Sequence, residues 1–305
     1  MFMLMLCSAI LCVLPVLLSI AWYTLVERVL LSTFHFRIGP DEWGFGIIQP
    51  LLDGLKLFIK SMQFGYRVNV LWYMSSAIVV LVTSCCIKLL LSFDCWWRLD
   101  VCELSLLVVT AISTFNCYFV FLFGFNSDCR FSLFGSVRFI LIFICIEVCY
   151  SLVFVFLLFS FCLFDLVSFW MLGIYYSVCL SFSIVAIVAF YVFLIESGRV
   201  PFDLVECESE LVSGFITDYG GAIFAMVFLG EYGSMIVSAI LLINIFVSCF
   251  YIWVTLLLVV ILLVVYSFGR IFLPRYRIDQ LVFGVWAGLC WLVFICFELC
   301  IIDCL

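Results

Sequence analysis

Runs of twenty or more predominantly apolar residues follow one another along almost the whole chain, each long enough to cross the ~30 Å hydrocarbon core of a bilayer as a helix. With 69% of its 305 residues hydrophobic and 11% charged, the chain lacks the polar surface to clothe a water-soluble globule; ordinary soluble domains are about 25% charged. Lipid is therefore its main solvent. Because lipid offers backbone groups no hydrogen bonds, each crossing must satisfy its own, which a helix does. We count eight spans, near residues 2–26, 68–92, 101–125, 139–164, 168–195, 220–244, 247–268 and 281–302, the break between the sixth and seventh being set near Asn244. No polar stretch is long enough to house a soluble domain, so the expectation is an all-α integral membrane protein forming a single membrane domain over residues 1–305. The first apolar run has no basic flank and outlasts a signal-peptide core, so it reads as a retained first span.

Alternation of eight spans puts the segments 27–67, 126–138, 196–219 and 269–280 on one face of the membrane. Eleven of the thirteen Lys and Arg fall there, leaving only Lys88 and Arg98 on the other face. That asymmetry obeys the positive-inside rule and turns this face toward the cytoplasm or a matrix, with both termini opposite. Within the first of these segments, Ile47–Met62 places Pro50, Asp53, Lys56 and Lys60 on one side and Ile48, Leu51, Leu52, Leu55 and Ile59 on the other. Such a pattern suits an amphipathic helix lying in the interface rather than a ninth span.

The 18 cysteines are scattered through apolar runs and never occur as C-x-x-C, so they read as small hydrophobes rather than ligands of zinc or an iron–sulfur cluster. A single histidine, His35, argues against a histidine-based metal or heme site, and Gly44 and Gly46 do not complete a dinucleotide fingerprint. The expectation is no flavin, heme or iron–sulfur cluster in this chain; any electron carrier belongs to a partner. The net charge of −7 gives no ground for nucleic-acid binding. Phe (36) and Cys (18) are abundant while Pro (5) is scarce, a skew that T-rich codons of an organellar genome would produce.

Acids mark where chemistry can sit. The stretch Glu196–Tyr219 carries Glu196, Arg199, Asp203, Glu206, Glu208 and Glu210, with Pro201 suited to a first helical turn. On a helix, Asp203, Glu206 and Glu210 fall within a stripe roughly 60° wide, with Glu208 on another face. Close like charges raise one another's pKa and titrate as a set, so such a cluster can exchange protons near neutrality; a solvated acidic loop is the plainer alternative. Glu147 and Glu231 lie inside the fourth and sixth spans, where an acid costs about 2.5–3.5 kcal/mol on insertion scales and is a functional candidate for that reason. Adjacent Glu27 and Arg28 read, taken alone, as a satisfied interfacial pair.

The motifs then go further. Arg37-Ile38-Gly39-Pro40, Gly46-Ile47-Ile48-Gln49-Pro50 and Asp53-Gly54-Leu55-Lys56-Leu57 resemble the R-x-GP … G-x-x-QP-x-x-D-x-x-KL signature of the quinone-site subunit of respiratory NADH dehydrogenase, complex I. Pro201 through Leu204, with Glu206 and Glu208 through Phe215, are similar to its PFDL-x-E-x-ESELVSGF segment. Glu231-Tyr232 resembles its EY pair, and Pro274 through Leu281 its PR-aromatic-R-x-DQL ending. The chain departs from the family at Ile142, Cys145 and Ile146, where Gln and Ser-Tyr are usual, and at Glu196-Ser197-Gly198-Arg199, which replaces E-T-N-R. The resemblance implies a subunit of the mitochondrial inner membrane whose acidic and basic loops face the matrix, with both termini in the intermembrane space. It implies ubiquinone as bound substrate, with partners among the other complex I subunits, namely the iron–sulfur subunit that passes electrons to quinone and the neighbouring membrane-arm subunits. By the same likeness Glu147, Glu196, Asp203, Glu206, Glu208, Glu210 and Glu231 carry proton coupling, and Arg28, Asp53, Arg199 and Phe215 lie on the quinone path. The homologous membrane subunit of an energy-converting hydrogenase would share the acidic loop. A stand-alone ion transporter is a different class, disfavoured by the absence of visible repeat symmetry and by acids gathered toward one face.

Overall fold

In the computed structural model, the residues described are 2–40, 46–61, 69–97, 105–127, 129–161, 168, 182–204, 214–217, 219–247 and 252–304, and the side chains of 2–12, 88–97, 252 and 301–304 are left out of the description. Among the described residues every regular element is helical: α1 (Phe2–Phe34), α2 (Gln49–Ile59), α3 (Val70–Trp97), α4 (Ser105–Phe125), α5 (Arg130–Phe161), α6 (Ser183–Glu196), a short 3₁₀ turn (Gly214–Ile216), α7 (Ala222–Phe246), α8 (Ile252–Phe272), α9 (Ile278–Phe283) and α10 (Trp291–Cys304). A π-helical stretch, Gly284–Cys290, joins α9 and α10 into one span, Ile278–Cys300. Among the described residues seven helices are long and apolar enough to cross a membrane, and α6 is a shorter apolar helix at the end of the expected fifth span, much of which falls outside the described residues. The chain is an all-α integral membrane protein.

Several helices run further than the apolar pattern suggests. α1 continues past residue 26 through Glu27 and Arg28 to Phe34, because Glu27 finds partners on other helices and so does not force the chain into water. α5 begins at Arg130 rather than near 139, absorbing residues 130–138 into its first turns. α7 ends at Phe246, two residues past the expected break. α2 has no buried residue and sets Leu51, Leu52, Leu55 and Ile59 outward, the arrangement expected of a helix whose apolar side meets lipid. Large apolar side chains such as Trp22, Leu71, Trp253 and Phe283 also stand on the outer surface.

α7 is the central helix, with 67% of its spanning window buried. It packs along α3, where Gly230 leaves no room for a side chain: a Cβ there would stand 2.8 Å from Val80 Cγ1 and 3.2 Å from the Val80 carbonyl oxygen. Small residues at such contacts let helices approach closely where lipid supplies no hydrophobic drive. Three clusters of buried side chains surround this axis: Ile20, Tyr23, Tyr232 and Met235 between α1, α7 and α8; Tyr150, Val153, Phe193 and Leu241 between α5, α6 and α7; and Tyr73, Val80, Phe123 and Phe215 beside the 3₁₀ turn.

Candidate functional site

α7 delivers two polar side chains to two different places. Successive helical residues point about 100° apart, so Glu231 opens onto a cavity while Tyr232 turns toward α1. The Tyr232 hydroxyl donates to Glu27 Oε2 at 2.8 Å, and Arg270 Nη1 donates to Glu27 Oε1 at 2.8 Å. Glu27 is buried, its side chain only 5% exposed, so both carboxylate oxygens are met by donors where water is scarce. Arg199, three residues beyond the end of α6, lays its guanidinium 4.0 Å above the Tyr232 ring, a cation–π contact that holds the charge without taking up the phenol. Glu27, Tyr232, Arg270 and Arg199 thus form one assembly drawn from α1, α7, α8 and the α6–α7 connection. Glu27 and Arg28 are not each other's partners, which corrects the reading of them as a pair: Arg28 Nη1 lies 2.7 Å from Asp53 Oδ2 on α2, both side chains about half exposed.

Beside this assembly lies a cavity walled by α3, α4, α5, α6 and α7. Glu196, Arg199, Asp203, Phe215 and Glu231 all line it. Glu231 sits about 14 Å along α7 from Ala222, at ~1.5 Å per residue, so the cavity descends well into the helix bundle. Among Ile87, Val109, Val237 and Leu241 its wall carries the neutral polar side chains Ser84, Ser113, Asn116, Ser234 and Ser238. Each of these serines directs its hydroxyl hydrogen to a carbonyl one turn back on its own helix, at 2.7–2.8 Å, so it offers the cavity lone pairs rather than protons. Glu196 Oε2 is buried and has no hydrogen-bond partner among the described residues; it is available to a proton or a water in the cavity.

The segment after α6 is held from the α8–α9 connection. Tyr276 N donates to the Pro201 carbonyl at 3.1 Å, the Phe202 and Tyr276 rings stack at 5.4 Å, and Arg275 lies 3.5 Å from Asp203. Residues 199–204 are not helical, and Val200–Pro201 is a cis peptide. Pro201 therefore does not open a helix as the sequence suggests, and Asp203 stands on an irregular strap tied down by side-chain and backbone contacts rather than on a helical stripe. Glu206, Glu208 and Glu210 lie outside the described residues. Glu147 is half-buried on α5, about 25 Å from Arg130 at ~1.5 Å per residue. It is therefore further along its helix than the shorter expected span implies, and it does not line the cavity, although its carboxyl is within electrostatic reach of Cys117 on α4. Among the described residues no group of three or more His, Cys, Asp and Glu side chains is placed to hold a metal ion.

A family model described as NADH dehydrogenase matches residues 7–301. The chain belongs to the NADH dehydrogenase family. It is 34% identical over 294 residues to NADH-ubiquinone oxidoreductase chain 1 of Artemia franciscana, covering 93% of this chain and 95% of that one. It is 31% identical over 297 residues to an NADH-quinone oxidoreductase subunit of Rhodospirillum rubrum, covering 90% and 86%. NADH-ubiquinone oxidoreductase chain 1 of Didelphis virginiana is 31% identical over 296 residues, covering 90% and 88%.

For this NADH dehydrogenase family chain the structure adds residues that sequence reasoning did not single out. Arg270 completes the surroundings of Glu27 opposite the Tyr232 of the Glu231-Tyr232 pair, and the serines with Asn116 line the cavity. A signal for Arg270 existed, since it is a basic residue in the last turn of an apolar helix of spanning length. Serines in apolar helices carry no such signal.

Proposed function

We propose that this chain is the membrane subunit of proton-pumping NADH:ubiquinone oxidoreductase, complex I, forming much of the quinone-binding tunnel and the acidic path that couples quinone reduction to proton translocation. The observation that carries this reading is the convergence of Glu196, Asp203 and Glu231 with Arg199 and Phe215 on one cavity that reaches from the strap after α6 into the helix bundle. Reduction of ubiquinone to ubiquinol takes up as many protons as electrons. Electrons arrive from an iron–sulfur cluster of a neighbouring subunit, and this chain supplies position and protons. Carboxylates within one enclosed space respond together to a change of charge beside them, because the field of each is weakly screened there.

Arg28 and Asp53, on the outer edge between α1 and α2, belong to the approach of quinone, and Arg199 and Phe215 stand at the mouth and wall of the cavity. Aromatic rings along that wall, Phe139, Phe143 and Phe193, suit a planar ring and a flexible apolar tail. Glu147, Glu206, Glu208 and Glu210 belong to the same proposed acidic path. The membrane is the mitochondrial inner membrane, with the acidic and basic loops on the matrix side.

The reading is tested on the native assembly. NADH oxidation by short-chain ubiquinone, blocked by quinone-site inhibitors, in a particle that copurifies with flavin and iron–sulfur subunits is the expected result. Hydrogen evolution without quinone reduction would favour the hydrogenase homologue, and ion transport by the lone subunit would overturn the reading.

A further inference from the structure

The 3₁₀ turn Gly214–Ile216 brings Phe215 to the cavity, yet the turn has almost no regular structure of its own to keep it there. Its backbone is held from α5. Ser132, fully buried, places Oγ 2.9 Å from the Phe215 carbonyl oxygen and 3.2 Å from the Gly124 carbonyl oxygen, so its one hydrogen is shared between the turn and the end of α4. One turn on, Gly135 lies against the same backbone: a Cβ there would stand 2.8 Å from Phe215 N and 2.9 Å from Gly214 C. Those are main-chain atoms, which cannot swing aside as a side chain can. Gly214 itself has φ +60°, a conformation open to glycine at little cost.

Just past the turn, the Tyr219 ring stacks on Phe123 at 3.5 Å and on Tyr73 at 4.1 Å, and its hydroxyl donates to the Phe123 carbonyl. The Phe215 ring meets Phe123 edge-on at 5.9 Å. The turn is thus gripped by main-chain contacts at its start and by stacked rings at its end.

We propose that Ser132 and Gly135 are positioning residues that seat the Gly214–Ile216 turn and so fix where Phe215 stands in the quinone-coupled cavity. Neither touches the cavity; both act through the backbone of the turn. The inference rests on the reading of that cavity given above. A hydrogen bond lost at Ser132 frees the Phe215 carbonyl to move, and a methyl added at Gly135 pushes the turn away from α5. Either displaces one wall of the site without removing any charged group, and a misplacement of about 1 Å can cost on the order of 100-fold in rate.

The test uses the whole complex carrying Ser132→Ala or Gly135→Ala, with rates measured against short-chain ubiquinone and against hexaammineruthenium, an acceptor that does not use the quinone site. The expected result for Ser132→Ala is a KM for ubiquinone raised about three- to tenfold, within the range set by such displacements, with weaker binding of a quinone-site inhibitor and an unchanged hexaammineruthenium rate. Gly135→Ala is expected to shift KM further. If Gly135→Ala does not assemble, Ser132→Ala decides alone. Unchanged ubiquinone KM and inhibitor affinity in assembled Ser132→Ala would overturn the inference, as would an equal fall in both acceptor rates, which marks a merely structural role. A wild-type complex unable to reduce ubiquinone would instead remove the functional reading on which the inference stands.

Discussion

Glu27 shows how a single residue can be conspicuous in sequence and still be misread. Its neighbour Arg28 is the obvious counter-ion by spacing, but the α1 helix points the two in different directions: Glu27 meets Arg270, 243 positions away, and Tyr232. No local pattern encodes a pairing of that range. Tyr232→Phe keeps the ring on which Arg199 rests and removes one hydrogen bond to a charged carboxylate, worth about 1.5–3 kcal/mol. We expect it to lower the thermal stability of the membrane arm, measured by melting of the purified complex, while leaving the complex assembled; an unchanged melting profile would show that Glu27 is satisfied without the phenol. Glu196 and Glu231 were legible from the start, since an acid at the end of or within an apolar run is rare and costly. Ser84, Ser113, Asn116, Ser234 and Ser238 were not, because small polar residues are common on packed membrane helices and only the shape of the cavity separates those that line it from those that merely pack.

At the scale of elements, apolar run length located the helices, and the helix ends escaped it. α1 and α5 extend through charged residues because those charges are compensated or reach the surface, and hydropathy alone registers a charge as an end. Pro201 and the spacing of the acids suited a helix opening at Pro201; ring stacking on Tyr276 and the contact of Arg275 with Asp203 hold residues 201–204 in an irregular form instead. α2 was readable from its two-sided pattern. Its Arg28–Asp53 contact is between half-exposed side chains, so its contribution to stability is about 0–1 kcal/mol and is screened by salt. Asp53→Asn is therefore expected to leave assembly and melting nearly unchanged while raising the KM for ubiquinone, read from steady-state kinetics of the purified complex. A large drop in stability with unaltered KM would make Asp53 a structural residue and remove it from the quinone path.

For the molecule as a whole, α7 organises both halves of the site: one face buries Tyr232 in the Glu27 assembly, and the next opens Glu231 to the cavity. Family membership and membrane class follow from motifs and composition, but the cavity is a property of five helices packed together, and no segment announces it. The proposed function requires the carboxylates that line this cavity to take part in coupling. The most direct measurement is the pair of rates, ubiquinone reduction and proton translocation, in sealed vesicles, comparing wild-type complex with Glu196→Gln and Glu231→Gln, which keep shape and remove the titrating group. Assembled complexes are expected in both variants, with quinone reduction and the accompanying proton translocation each reduced by at least about tenfold, a floor below the ~100- to 10,000-fold of one general acid–base contribution. Wild-type rates and wild-type translocation in both variants would contradict the proposed function.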